Sequence, residues 1–324
     1  MPEPTYDVVA LGNALVDVIT HEEDRFLTDH GLVKGSMALI DESQADELYR
    51  AMAVGTEMSG GSAANTVAGV ASFGGRAAFL GKVRDDDLGL VFASDLGANG
   101  VSFTAQPATD GPSTGRCLIV VTADAERTMS TYLGAGAGLG PADIDSALLG
   151  DAKVVYLEGY LFDSPEAKEA YRKASRIAHE AGGKVALTLS DSFCVSRHLD
   201  EWVALVDDQV DVLFGNAEEV QVLCGTGFDD AVGSLQGRVE VAVLTRGAAG
   251  SVIVTAEELI EVPAEEVADV VDTTGAGDLY AAGFLYGYTQ GLPLASCGRL
   301  GSKAAAEVIS HTGARPLAHL SNLR

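Results

Sequence analysis

The sequence predicts an α/β fold built on a mainly parallel sheet with helices on both faces. Three observations predict it. Short apolar runs bounded by Gly, Asp or Ser recur along the whole chain, as buried strands do. Helical patterns lie between many of them, the alternation expected of strand–helix–strand units. With 324 residues, 47% of them hydrophobic, there is material for one large domain or two ordinary ones. In such sheets ligands sit beyond the carboxyl ends of the strands, so chemistry is expected just after each one.

Taken in order, residues 6–12 (YDVVALG) read as the first strand, followed by a helix over 62–72, a strand over 78–83 and a helix over 87–96. A strand at 118–121 and another at 154–159 come next. Ser164-Pro-Glu opens a helix with a capping serine and a proline at the first helical position, and Gly182-Gly183 stops it near 181. Strands at 184–190, 212–215 and 241–247 enclose a helix over 199–207. Two helices, at 274–290 and 301–312, close the chain. Residues of about 14–40 and 103–133 break the alternation, with Thr, Val, Ile and Met alternating and no clear helix. They are expected to pair as a small accessory sheet, a lid over a site. No proline-rich or charged linker and no internal repeat divides the chain, so residues 1–324 read as one domain with a lid.

Charge narrows the function. Lys and Arg number 21 and Asp and Glu 47, a net charge of −26, which repels phosphate backbones and anionic headgroups and excludes nucleic acid and membrane as main partners. A phosphorylated small molecule stays possible, because clustered amides hold phosphate within a negative field. The N-terminus has no basic or apolar signal region, no uncharged apolar run nears the ~20 residues a membrane helix needs, and the four cysteines form no C-x-x-C pair; a cytoplasmic protein with reduced thiols is expected. The histidines form no zinc pattern. The glycine-dense stretch at 134–140 fails the G-x-G-x-x-G spacing, and Gly81-Lys82 and Gly183-Lys184 are each followed by valine, so Walker A is absent.

The most informative segment is Asp272-Thr-Thr-Gly-Ala-Gly-Asp278, which feeds a helical pattern. Amides of Gly275, Ala276 and Gly277 at that helix start would point at one spot beside the positive end of the helix dipole, an anion site that needs no lysine. Asp278, beside it, is placed to take a proton from an attacking hydroxyl or simply to cap the helix. Asp17 stands in an apolar stretch where a charge is costly unless it gains partners, and a short carboxylate can accept from two neighbouring hydroxyls.

These residues resemble a known family. D-T-T-G-A-G-D is similar to the C-terminal signature of the PfkB (ribokinase-like) kinases. Three more segments match in family order: Gly60-Gly-Ser-Ala-Ala-Asn65, Asn216-Ala-Glu-Glu219 and Thr245-Arg-Gly247. The resemblance spans about residues 6–316. It implies a three-layer α/β/α sandwich with a small β lid, ATP as donor and Mg²⁺ as metal. Asp278 would be the catalytic base and Gly275, Ala276 and Gly277 the groups that stabilise the transferring phosphoryl. Glu219 would organise magnesium through water. Asn216, Thr245, Arg246, Gly247 and Thr274 would line the donor. Asn216 with Glu219 also fits a capping box, and Arg246 fits an exposed strand end equally well.

On the phosphoryl-acceptor side the resemblance implies Asn13, Asp17, Gly61, Ser62 and Asn65, with Arg127 reaching the transferred phosphate on closure. The spelling Gly12-Asn-Ala-Leu-Val-Asp17 with Gly60-Gly-Ser resembles the bacterial adenosine kinase-like branch, which implies conversion of adenosine to AMP. Sugar kinases acting on ribose, fructose or a keto-sugar are the alternative, and a non-catalytic sensor a third reading. The base would be wedged among Met37, Leu39, Tyr160, Phe162 and Cys117, any of which also fits plain core. Some members hold potassium through backbone carbonyls, although Pro316-Leu317 departs from the Pro-Ser that ribokinases carry there. The partner is then a small nucleoside or sugar, bound by a monomer or homodimer.

Overall fold

A computed structural model describes residues 3–124 and 126–324. Met1 and Pro2, which begin the segment read as lacking a signal, and Ala125, in the segment before Arg127, lie outside the described residues.

In chain order the strands are β1 (Tyr6–Leu11), β2 (Leu15–His21), β3 (Met37–Leu39), β4 (Thr56–Gly60), β5 (Ala77–Leu80), β6 (Val101–Phe103), β7 (Gly115–Val121), β8 (Arg127–Tyr132), β9 (Ala152–Glu158), β10 (Lys184–Thr188), β11 (Val212–Asn216), β12 (Val241–Thr245), β13 (Ser251–Val254) and β14 (Leu259–Val262). The helices are α1 (Asp24–Asp29), α2 (Glu42–Ala51), α3 (Ser62–Ser72), α4 (Asp87–Ala98), α5 (Ser146–Gly150), α6 (Pro165–Glu180), α7 (Ser192–Arg197), α8 (Leu199–Gln209), α9 (Ala217–Cys224), α10 (Phe228–Leu235), α11 (Ala276–Thr289) and α12 (Leu294–Ile309).

Nine strands form one sheet in the order β14-β13-β12-β11-β10-β9-β1-β5-β6, parallel from β12 to β6 and closed at the other edge by the antiparallel β13 and β14. The side-chain alternation of each strand divides the core in two. In β1, Val8 and Ala10 join the cluster under α3, α11 and α12, while Val9 and Leu11 join the cluster under α6, α8 and α9. Helices on both faces of a mostly parallel sheet give the α/β/α sandwich expected from the sequence.

Five strands form a second sheet in the order β3-β8-β7-β2-β4. Its two faces differ. Val16, Val18, Leu118 and Val120 enter the main core, and the alternate residues Cys117, Ile119 and Val121 make a small cluster of their own on the other face. Asp17, between Val16 and Val18, is carried to that second face by the period of two.

Several elements depart from the expectation. β4 was not foreseen, because TEMSG carries no alternation and its Ser and Gly read as loop. β13 and β14 were not foreseen either. α1 lies in a stretch read as having no helix; it buries only Leu27 and so leaves no periodic signal. β6 pairs with β5 in the large sheet although it reaches the stretch assigned to the small one. α12 starts at Leu294 rather than 301. Its Gly298 and Gly301 look like breakers, yet a Cβ on Gly301 would lie 2.7 Å from the Tyr280 carbonyl oxygen, so this glycine permits close packing on α11. No described helix is long and apolar enough to cross a membrane, and the four cysteines are unpaired.

Candidate active site

A cavity of about 660 Å³ opens where the carboxyl ends of β1, β9, β10, β11 and β12 meet the second face of the smaller sheet. Asp278 lies at its base in the first turn of α11, whose N-cap is Gly275 at φ 79°. Both carboxylate oxygens are held by α3: Ser62 Oγ donates to Oδ1 at 2.6 Å and Asn65 Nδ2 to Oδ2 at 2.9 Å. Burial raises the proton affinity of Asp278, opposed by those two hydrogen bonds and by the Arg315 guanidinium. A carboxylate so held is a stronger base than one in water and cannot rotate away.

Of the three amides expected to form the anion hole, two are free. Those of Gly275 and Gly277 donate to nothing among the described residues. The Ala276 amide instead donates to the Thr273 carbonyl at 3.2 Å, closing the turn that shapes the loop. Gly275 is required twice over: its φ is left-handed, and a Cβ there would lie 2.8 Å from Ala314 Cα.

The other expected residues divide. Asn13, Asp17, Gly61, Ser62 and Asn65 line the cavity together. The Asp17 carboxylate receives no hydrogen bond from the described residues, and burial pushes its pKa up to about 6, against the pull of Arg315 and Arg127. Gly60 leaves room for it, since a Cβ there would stand 2.4 Å from that carboxyl group. Asn216, Glu219, Thr245 and Thr274 line the opposite end. Asn216 and Glu219 do form the capping box of α9, and Asn216 Nδ2 also donates to Glu219 Oε1 at 2.7 Å. Burial, with Asp191 and Glu218 adding, pushes Glu219 up to about 7 against the backbone hydrogen bond from Asn216.

Three of the expected residues lie outside the cavity lining, and a fourth is already engaged. Arg246 and Gly247 are not among the residues lining the cavity; the Arg246 guanidinium lies over the Phe228 ring, 5.6 Å from its centroid, and donates toward Ala249. Phe162 is 2% exposed and stacks on Trp202 at 4.2 Å in the α6–α8 core, because the turn after β9 directs it away from the cavity. Phe162→Ala should therefore destabilise the fold by about 3–5 kcal/mol, read by denaturant unfolding, and leave substrate affinity unchanged. Arg127, expected to meet phosphate, lines the cavity but is paired with Asp272 of the glycine loop. Met37, Leu39, Tyr160 and Cys117 do line the cavity.

The sequence reading missed four residues. Glu158, the last residue of β9, is buried and accepts from Asn13 and Ala63. Arg315 is half-buried and donates to Asn65 Oδ1 at 2.8 Å and to Ser59; desolvation lowers its pKa to about 10. Arg197, held by Asp163, is with Arg127 one of two cationic side chains lining the cavity among the described residues. Ser190, also in the lining, takes a left-handed φ of 63°. Glu158 and Arg315 carried a signal, a charge beside a strand end or motif, while Ser190 carried none.

Residues 31–319 match the pfkB family of carbohydrate kinases. A 5-dehydro-2-deoxygluconokinase of Bacillus velezensis is 27% identical over 320 residues, covering 95% of this chain and 90% of the relative. The crystal structure of an adenosine kinase from Sinorhizobium meliloti superimposes with a TM-score of 0.90 at 49% identity, covering 98% of each chain. That of a probable sugar kinase from Rhizobium etli does so with a TM-score of 0.90 at 46% identity, covering 99% of this chain and 98% of the other.

Proposed function

Because the chain belongs to the PfkB family of carbohydrate kinases, we propose that it is an ATP-dependent kinase whose phosphoryl acceptor is a nucleoside, adenosine above all, converted to AMP. One observation carries the choice of acceptor. Met37, Leu39, Tyr160 and Phe193 are large apolar side chains left exposed, at 52%, 63%, 42% and 70%, and all four line the one cavity that holds Asp17 and Asp278. Apolar surface gathered at a polar site fits a ligand with a flat apolar part, as a purine is, better than a free sugar. The likeness to the Sinorhizobium meliloti adenosine kinase supports the same reading.

In this reading the acceptor ribose lies against Asp17 and Asn65 with its 5′-hydroxyl at Asp278. The hydroxyl oxygen bonds to the γ-phosphorus as its proton passes to the Asp278 carboxylate, and the bond from that phosphorus to the bridging oxygen of ADP breaks. The amides of Gly275 and Gly277 face the charge on the transferring group. Thr245, Thr274 and Asn216 flank the donor. Magnesium fits the donor set here: Glu219, with Asp191 and Glu218 near it, offers carboxylate oxygens. No three His, Cys, Asp or Glu side chains among the described residues gather into a cage, which suits an ion held mainly by phosphate and water. When bound, it neutralises charge on the donor phosphates. The smaller sheet serves as the lid of one kinase domain, and Arg127 with Asp272 ties it to the glycine loop.

Two measurements test the acceptor. ADP release over a panel of nucleosides and sugars should favour adenosine over ribose, fructose and 5-dehydro-2-deoxygluconate by about 10²-fold or more in kcat/KM. The Bacillus velezensis relative supports a sugar acceptor as the second reading, and preference for the keto-sugar would establish it. Asp17 gives a pH signature. Its ionised form accepts hydroxyl hydrogens, so acceptor KM should rise as pH falls through about 6. Asp17→Asn should show a raised KM and lose the limb near 6; a limb near 6 that persists in that variant would remove Asp17 from the substrate site.

A further inference from the structure

We propose that Glu158 is a positioning residue that locks the acceptor-binding turn at Asn13 to the first turn of α3 and, through α3, orients Asp278. The proposal rests on the reading of Asp278 as the base. Glu158 Oε1 accepts from the Asn13 amide at 3.1 Å and from Asn13 Nδ2 at 2.8 Å, and Oε2 accepts from the Ala63 amide at 2.8 Å. The N-cap of α3 is Gly61, which has no side chain to satisfy the helix start. A carboxylate from the far side of β1 does so instead. The same turn of α3 carries Ser62 and Asn65, the two residues that hold both oxygens of Asp278.

The surroundings are shaped for this contact. A Cβ on Gly12 would lie 2.5 Å from Glu158 Oε2 and 2.6 Å from Ala63 Cβ, so only glycine lets the three segments meet. Tyr171 donates its hydroxyl to the Glu158 carbonyl and fixes the backbone. Glu158 is 1% exposed and pairs with no charged side chain among the described residues. Its three donors meet acceptors at both oxygens, which the ionised carboxylate provides in full and without a competing O–H. A protonated acid or an amide presents a donor at one of them, facing either Asn13 or Ala63.

Burial pushes Glu158 up to about 7, against the hydrogen bonds from Ala63 and Asn13 and with the Asp278 charge adding to the rise. Facing this pair are Asp17, Arg315, and the phenols of Tyr156, Tyr160 and Tyr171. The phenols stay neutral throughout the working range, since burial raises all three. Glu158→Gln is thus a frozen copy of the protonated state.

The test is steady-state kinetics against pH on the full chain, with active protein counted by ATP-analogue binding. For Glu158→Gln, kcat should fall roughly 10- to 100-fold, as for a reacting group displaced by about an ångström. Acceptor KM should rise, and KM for ATP should stay within about twofold. The wild type should lose kcat as pH falls through about 7, a limb absent from Glu158→Gln. Glu158→Asp keeps the charge but is one methylene short, so its kcat should drop while the limb remains. If the glutamine variant does not fold, the aspartate variant carries the test, through its lower kcat with the limb retained. Unchanged kcat per active site in Glu158→Gln, or equal losses toward acceptor and ATP, would overturn the proposal. An Asp278→Asn variant with normal turnover would instead remove the base assignment beneath it.

Discussion

Asp278→Asn should turn over about 10²–10⁴-fold more slowly than the wild type, the usual contribution of a positioned base, while binding adenosine within about twofold. The substitution is isosteric, so Ser62 and Asn65 keep their places and only the proton-accepting oxygen is lost. Asn65 Nδ2 donates to Oδ2 and Ser62 Oγ to Oδ1, leaving lone pairs on both oxygens for the substrate hydroxyl. An amide keeps one oxygen for Asn65 Nδ2 and turns its NH2 to Ser62 Oγ, which can accept, so the oxygen that would take the substrate proton is lost. Single-turnover rates with saturating ATP and adenosine read the chemical step directly. Near-normal rates would mean that the proton goes elsewhere and that Asp278 only holds α11 to α3.

Gly275→Ala should cost about 10²–10³-fold in kcat, the scale of losing one preorganised oxyanion donor. Its left-handed φ of 79° costs a side-chain-bearing residue about 1–2 kcal/mol, and the added Cβ would meet Ala314 Cα at 2.8 Å. The loop must open to relieve both, carrying the Gly275 and Gly277 amides off the transferring phosphoryl. Nucleoside affinity, proposed to rest on Asp17 on β2 and Asn13 in the turn before it, should stay near normal. Thermal unfolding should record a drop of a few degrees at most for a chain this size. A folded variant that keeps full kcat would mean that the amides do not face the phosphoryl.

Much of the site was legible because it lies in contiguous motifs at the ends of parallel strands. Asp278, Ser62 and Asn65 stand in two local spellings, each tied to a helix start, and topology alone brings α3 against α11. Asp17 was legible from its apolar neighbours, since a charge alternating with Val16 and Val18 must point to the opposite face. What sequence could not fix were contacts made by a single residue far along the chain. Glu158 reaches Asn13 across 145 positions and Arg315 reaches Asn65 across 250, and neither lies in a repeated pattern. Phe162 follows a strand end, where cavity and core are both near, and only the turn after β9 settles which way it points. Arg246 stands in a motif whose backbone can approach a ligand while its side chain turns to Phe228. The start of α12 was placed late, at 301 rather than Leu294, because a glycine that breaks a helix and one that lets two helices touch are the same letter.

Identification of the product tests the central claim most directly. Wild-type protein incubated with ATP, Mg²⁺ and adenosine should yield AMP with the phosphate on the 5′-oxygen, seen as ³¹P coupling to the 5′ protons, in one-to-one ratio with ADP. ADP formed without AMP, or phosphate found only on an added free sugar, would contradict it.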